Sequence, residues 1–100
     1  MRRILAFDPG FSGGVAYDFL GQVQGIPMPV CANELDLVAI RQIIELIKPE
    51  FILMEKVGSR PNQSSVSTFR FGEGYGCIKG LAAGLGVSLR LVTPQAWKKV

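Results

Sequence analysis

The sequence has 100 residues, of which 48% are hydrophobic, and its 11 Lys or Arg against 8 Asp or Glu give a net charge of +3. Such a chain folds as one domain with a single core and is too hydrophobic to be disordered. The small positive charge permits a polyanionic partner without requiring one. No stretch resembles a signal peptide or a membrane span, so we expect a cytoplasmic protein with no membrane partner.

The first half of the chain predicts three strands and a helix. Residues 3–8 and 14–17 are apolar runs separated by a turn of Pro, Ser and Gly, and they predict two strands of a meander. Residues 22–29 alternate but contain prolines, which places this third strand at the sheet edge. Residues 37, 40, 44 and 47 are apolar at helical spacing. Asn33 or Asp36 is the expected N-cap of that helix, and Pro49 ends it.

The second half predicts two more strands around a second helix. Residues 51–57 form an apolar strand that ends in a carboxylate, residues 58–64 form a polar loop, and residues 87–92 form the fifth strand. Residues 93–97 have the composition of a helix start, with Thr93 as N-cap and Pro94 in the first turn. Cys31 and Cys77 stand far apart with no histidine nearby, so we expect buried, reduced thiols and no zinc site.

Residues 65–85 predict an unusual helix, because glycine recurs at every fourth position. Gly72, Gly76, Gly80 and Gly84 each cost about 1 kcal/mol relative to alanine inside a helix. We expect this cost to be offset by close packing of the helix on the sheet. The alternatives are a partner helix or a nucleic acid lying along the glycines. Phe69 and Phe71 could stack on unpaired bases, but their helical positions favour the core.

Two carboxylates follow a common pattern that indicates a site. Asp8 and Glu55 each end an apolar strand and precede a loop rich in small residues. If the two strands are parallel neighbours, the acids lie side by side at the carboxyl edge of the sheet, where ligand sites gather. Two such acids repel unless one is protonated or a cation bridges them, and Mg²⁺ suits oxygen ligands. The simpler interpretation is a hairpin turn in which Asp8 accepts hydrogen bonds from the amides after it.

The order of elements and four motifs resemble a known family. The motifs are Ile-Leu-Ala-Phe-Asp-Pro-Gly at residues 4–10, Ile-Leu-Met-Glu at residues 52–55, the glycine-rich residues 71–76 and Val-Thr-Pro-Gln-Ala-Trp-Lys-Lys at residues 92–99. Together they resemble the RuvC-type Holliday-junction resolvases, particularly their short phage and prophage relatives. The resemblance implies an α/β, ribonuclease-H-like fold: a mixed five-stranded sheet, made of a three-stranded antiparallel meander followed by two parallel strands, with helices packed on it.

The same resemblance implies the chemistry of a nuclease. Asp8 and Glu55 would be the catalytic, metal-binding acids of an endonuclease that hydrolyses phosphodiester bonds in four-way DNA junctions with two Mg²⁺ ions, or Mn²⁺ in their place. A homodimer would match the two-fold symmetry of a junction. The candidate DNA contacts are residues around and beyond Glu55, namely Lys56, Arg60, Asn62, Gln63 and Arg70.

The chain departs from the family in its later acids. The family completes its site with an acidic pair on a C-terminal helix, whereas Glu73 is the only acid here after Glu55. We therefore expect residues 1–100 to be one nuclease domain that continues past Val100, and to cleave junctions poorly or not at all on its own. Two alternatives stay open: a non-catalytic nucleic-acid-binding module of the same fold, and an actin-like or sugar-kinase-like ATPase fragment.

Overall fold

The sheet at the centre of the protein has the predicted mixed topology. The computed structural model describes residues 3–10, 13–55 and 64–92. In chain order these ranges form β1 (Ile4–Phe7), β2 (Gly14–Phe19), β3 (Gln22–Pro27), β4 (Val30–Cys31), β5 (Glu34–Leu35), α1 (Leu37–Ile47), β6 (Phe51–Glu55), α2 (Ser65–Gly84) and β7 (Ser88–Val92). Five strands form one sheet in the order β3-β2-β1-β6-β7. Pairing is antiparallel from β3 to β1 and parallel from β1 to β7, and β3 is at the edge as predicted.

The meander is closed by a two-residue turn. Phe19 pairs with Gln22, and between them Leu20 and Gly21 both have positive φ, at 55° and 82°. Positive φ at both positions is typical of the primed turns that match the twist of a hairpin. Because the turn begins only after Phe19, β2 is two residues longer than its predicted end at Tyr17.

A second, short hairpin was not predicted. β4 and β5 pair antiparallel, with Cys31 opposite Glu34, and Ala32 and Asn33 form the turn at φ 53° and 62°. Two-residue strands are too short to show periodicity. Alanine is also an uncommon residue at positive φ, so the segment carries no standard turn signal. Asn33 belongs to this turn and is not a helix cap.

The first helix forms as its sequence pattern predicts. Asp36 is the N-cap, and its side chain accepts a hydrogen bond from the Ala39 amide at 3.1 Å. The helix ends at Lys48, a left-handed C-cap whose amide donates to the Ile44 carbonyl at 2.8 Å. Pro49, directly after it, cannot continue the helix. The inward stripe of Ile40, Ile44 and Ile47 is buried.

Both helices pack on one face of the sheet. The core joins Leu5, Phe7, Val15, Ile52 and Met54 from the strands to inward side chains of the helices, which are Ile40, Ile44, Ile78 and Ala82. Each fully buried aliphatic side chain contributes about 1.5–3 kcal/mol. Because side chains alternate along a strand, residues such as Ala6 and Leu53 point to the opposite face. Within the described ranges, no helix covers that face.

The recurrent glycines of α2 do not pack on the sheet, so that expectation is wrong. The buried line of the helix is Gly74, Ile78 and Ala82. A methyl group added at Gly72, Gly76, Gly80 or Gly84 would meet nothing within 4 Å. At 100° per residue, positions offset by two from the buried line lie almost opposite to it. The four glycines therefore line the outward face of the helix.

Three side chains differ from their expected environments. Phe69 is 69% exposed, so its assignment to the core is wrong, while Phe71 is half-buried. Cys31 is exposed and Cys77 is half-buried, and both are free, which corrects the expectation of buried thiols. Neither helix of the described ranges is long and apolar enough to cross a membrane.

Candidate functional site

The parallel pairing of β1 with β6 brings the two predicted acids to neighbouring strand ends. The register pairs Ala6 with Leu53 and Phe7 with Met54. Asp8 directly follows Phe7, and Glu55 directly follows Met54. Neighbouring strands of a sheet lie about 4.8 Å apart. Since Phe7 and Met54 both point into the core, strand alternation turns Asp8 and Glu55 toward the opposite face. Asp8 is exposed and Glu55 is half-buried.

The turn after Asp8 is tightly constructed. The Asp8 amide donates to the Gly14 carbonyl and the Gly13 amide donates to the Gly10 carbonyl, each at 2.9 Å. The Gly10 amide faces the Asp8 carboxylate at 3.5 Å. This contact matches the simple interpretation of the motif, in which Asp8 accepts from an amide after it.

Gly13 is essential to that geometry. A Cβ at this position would lie 2.9 Å from both the carbonyl carbon and the Cγ of Asp8, and it would overlap the Asp8 carbonyl oxygen. Any larger residue would displace the Asp8 backbone or its carboxylate. The sequence shows a glycine-rich turn, but only the fold shows that this glycine is the one pressed against Asp8.

A shallow depression lies beside Asp8 on the face away from the helices. It has a volume of about 440 Å³. Its floor includes Ala6, Ala16 and Gly25, which sit opposite one another across three strands. Three small residues in a row leave room above the sheet next to the carboxylate. In the ranges that the structure describes, no group of three or more His, Cys, Asp or Glu side chains could hold a metal ion.

Most of the predicted DNA contacts lie outside the described residues. These are Lys56, Arg60, Asn62 and Gln63. Arg70 is described: it is exposed on α2 and lines a groove with Phe69 and Glu73. Neither Asp8 nor Glu55 lines that groove. The structure thus places Asp8 and Glu55 at the ends of neighbouring strands and Arg70 in a groove that neither acid lines.

Gly74 connects α2 to the Asp8 turn, a contact with no signal in the sequence. A Cβ at Gly74 would lie 2.8 Å from Leu35 Cδ1 and 3.1 Å from the Pro9 carbonyl oxygen. The helix therefore approaches the turn as closely as a glycine allows. Among five glycines in α2, only contact with a distant segment distinguishes this one.

The order and pairing of the strands identify the fold. The chain has the ribonuclease-H-like α/β fold: an antiparallel meander, two further parallel strands and helices that pack on the sheet. No protein-family model matches the sequence. No curated protein matches it either.

Solved structures of two proteins illustrate the fold. RuvC of Thermus thermophilus in complex with a Holliday junction substrate has a TM-score of 0.77 at 14% identity, over 99% of this chain and 69% of that one. Another Thermus thermophilus RuvC structure has a TM-score of 0.60 at 16% identity, over 92% of this chain and 64% of that one. YeaZ from Pseudomonas aeruginosa has a TM-score of 0.56 at 18% identity, over 91% of this chain and 44% of that one.

Proposed function

We propose that this chain is the nuclease domain of a metal-dependent endonuclease that hydrolyses phosphodiester bonds in branched DNA. The observation that carries the proposal is the parallel register of β1 and β6, which leaves Asp8 and Glu55 at adjacent strand ends. Carboxyl ends of parallel strands are where ligands bind in open α/β sheets. The fold shared with RuvC in complex with a Holliday junction substrate supports a four-way junction as the substrate. The net charge of +3 is compatible with DNA.

The two carboxylates fit a hard divalent cation. Asp8 is exposed and Glu55 is half-buried, so both can contribute oxygen ligands to Mg²⁺ or Mn²⁺. We propose a site for two ions, which when bound supply an activated water and stabilise charge on the phosphate. The role of the chain is to hold Asp8 in place through Gly13 and the turn hydrogen bonds. Arg70, together with Lys56, Arg60, Asn62 and Gln63, would contact the DNA backbone.

We also propose that the protein acts as a homodimer. A two-fold protein matches a substrate with two equivalent strands to cut. The outward face of α2 is a poor surface for a monomer, because four glycines there weaken the helix and a methyl group added at any of them would meet nothing within 4 Å. Val66 and Phe69 on the same helix are exposed apolar residues.

A second candidate is a nucleic-acid-binding module of the same fold without catalysis. It is favoured by the small number of candidate metal ligands, since the described ranges contain no group of three or more His, Cys, Asp or Glu side chains that could hold a metal ion. Two carboxylates bind a cation weakly. Junction binding that does not depend on Mg²⁺ or Mn²⁺ and that Asp8→Asn leaves unchanged would support this module.

The test measures cation and junction binding by the 100-residue chain. We expect Asp8→Asn and Glu55→Gln each to lower Mn²⁺ affinity, measured by electron paramagnetic resonance, by tenfold or more. Glu45→Gln is the matched control, because Glu45 is an exposed acid paired with Arg41 on α1. In fluorescence anisotropy, the chain should bind a four-way junction more tightly than a linear duplex of the same sequence. Equal affinity for the two DNAs, or Mn²⁺ binding that is unaffected by Asp8→Asn, would contradict the proposal.

A further inference from the structure

The edge strand β3 lacks most of the features that protect a sheet edge from pairing. It is the outermost strand beside β2, and all of its residues are exposed. None of residues 22–27 carries a charge, the register with β2 is unbroken, and Val23 is 79% exposed. Native proteins commonly block an exposed edge with charged side chains, bulges or prolines. Of these devices β3 has only Pro27, at its last position.

The hydrogen bonds of the meander show which β3 groups point away from the sheet. The Asp8 amide donates to the Gly14 carbonyl at the start of β2. Bonding direction alternates along a strand, so the even-numbered residues of β2 bond to β1 and the odd-numbered residues bond to β3. Those odd-numbered residues pair with the even-numbered residues of β3. The N–H and C=O groups of Val23 and Gly25 therefore point outward from the edge, and Pro27, the next outward residue, has no N–H to leave unpaired.

These outward groups are complementary to those of a second copy of the same strand. In an antiparallel pair of two β3 strands centred on Gln24, Val23 of each copy lies opposite Gly25 of the other. Residues opposed in this way exchange both of their N–H···O bonds, and the Val23 side chain meets a residue that has none. The neighbouring symmetric registers are poorer, because they set Gly25 opposite Gly21, outside β3, or Val23 opposite Pro27, which has no N–H.

We propose that two copies of this chain pair through their β3 edges, which joins their five-stranded sheets into one. This inference rests on the proposed homodimer and names the surface that joins its two copies. The two-fold axis of such a strand pair is perpendicular to the sheet, so equivalent faces of the two copies form one continuous surface. Gly25 lines the depression beside Asp8, so Val23 of the second copy borders that depression. Both depressions open on the same side of the dimer, where one branched DNA can contact both.

The first test is disulfide trapping in a chain whose own thiols are removed by Cys31→Ser and Cys77→Ser. Gln24→Cys places the new thiols of two copies at the axis, where the Cα atoms of a non-hydrogen-bonded pair lie ~4.5 Å apart, a separation that a disulfide spans. Gln22→Cys is the matched control, because this exposed glutamine of the same strand would lie about 14 Å from its symmetry mate. With oxidised glutathione, Gln24→Cys should form a disulfide-linked dimer and Gln22→Cys should remain a reducible monomer pool without one.

The second test places a charge at the edge and does not depend on thiols. Val23→Lys sets an ammonium group of each copy beside the paired strands, so sedimentation velocity at micromolar concentrations should shift from dimer to monomer. Leu46→Lys is the matched control, because Leu46 is 80% exposed on α1, and it should leave the dimer unchanged. Circular dichroism of both variants should match that of the unmodified chain, since both side chains are on the surface.

The outcomes separate this inference from the proposed function. A dimer that Val23→Lys leaves intact, or trapping of Gln22→Cys as efficient as that of Gln24→Cys, would overturn the inference and leave the proposed homodimer standing. A monomer at every concentration would overturn the homodimer and the inference together. Mn²⁺ and junction binding by that monomer would still support the proposed nuclease domain.

Discussion

Replacement of Gly74 with alanine tests how closely α2 approaches the Asp8 turn. The new methyl group would lie 2.8 Å from Leu35 Cδ1 and 3.1 Å from the Pro9 carbonyl oxygen, whereas ordinary contacts of carbon atoms begin near ~3.5 Å. The Leu35 methyl can rotate away. The Pro9 oxygen belongs to a backbone held by the Asp8–Gly14 and Gly13–Gly10 hydrogen bonds, so the helix or the turn must shift by a few tenths of an ångström.

Two opposing terms set the magnitude of the change. Alanine gains about 1 kcal/mol of helix propensity over glycine, and overpacking costs about 1–3 kcal/mol. At Gly72 the first term acts alone, because nothing lies within 4 Å of an added methyl group. We therefore expect Gly72→Ala to stabilise the protein by about 1 kcal/mol and Gly74→Ala to be less stable than Gly72→Ala by about 1–3 kcal/mol.

Urea unfolding followed by circular dichroism measures this difference. Because the propensity term is the same in both variants, their comparison isolates the contact with Pro9 and Leu35. Unfolding at two protein concentrations separates any effect on association from the stability of the monomer. A Gly74→Ala variant as stable as Gly72→Ala would refute the close approach of α2 to the turn. A Gly74→Ala variant that is less stable and also binds Mn²⁺ more weakly would show that the helix helps to position Asp8.

Four further measurements test other parts of the structure. Asp36→Ala removes the N-cap bond to Ala39 and should cost about 1 kcal/mol, or ~4–8 °C in Tm; an unchanged Tm would contradict the cap. Lys48→Gly relieves a left-handed residue at φ 52° and should stabilise the protein by about 1 kcal/mol in urea unfolding, and a loss of stability would contradict this. Met54→Ala empties a fully buried position and should cost about 2–5 kcal/mol; a cost like that of a surface substitution would show that the core is misplaced. Sedimentation velocity at micromolar concentrations should detect a homodimer, and a monomer with no concentration dependence would contradict the proposed assembly.

Local sequence patterns were sufficient for most elements of the fold. The apolar runs at residues 3–8, 51–57 and 87–92 predicted strands because burial on a sheet requires continuous apolar segments. The spacing of Ile40, Ile44 and Ile47 predicted α1. Of the two residues proposed as its N-cap, Asp36 is the one that caps the helix. These signals are local, since each depends on residues within one or two turns of the chain. The strand-end positions of Asp8 and Glu55 could be read in the same way.

The orientation of α2 could not be read from the sequence. The helix has apolar or small residues on every side, so no amphipathic pattern indicates which side is buried. Gly74, Ile78 and Ala82 are buried, because Ile78 and Ala82 provide apolar volume to the core and Gly74 allows contact with Leu35 and the Pro9 turn. Gly72, Gly76, Gly80 and Gly84 then face outward. This is contrary to the expectation that close packing on the sheet offsets their cost in helix propensity.

The tertiary structure alone decided which segments become neighbours. The parallel register of β1 and β6 is a contact between residues more than forty positions apart in the chain, and it determines that Asp8 and Glu55 share one edge. The β4–β5 hairpin, with Ala32 at positive φ, forms one wall of a groove completed by a helix thirty residues later. The sequence by itself determined which residues could form strands and helices, and which side chains could serve as metal ligands. Packing determined which of them meet, because the free energy of a distant contact depends on both partners and on everything that holds them in place.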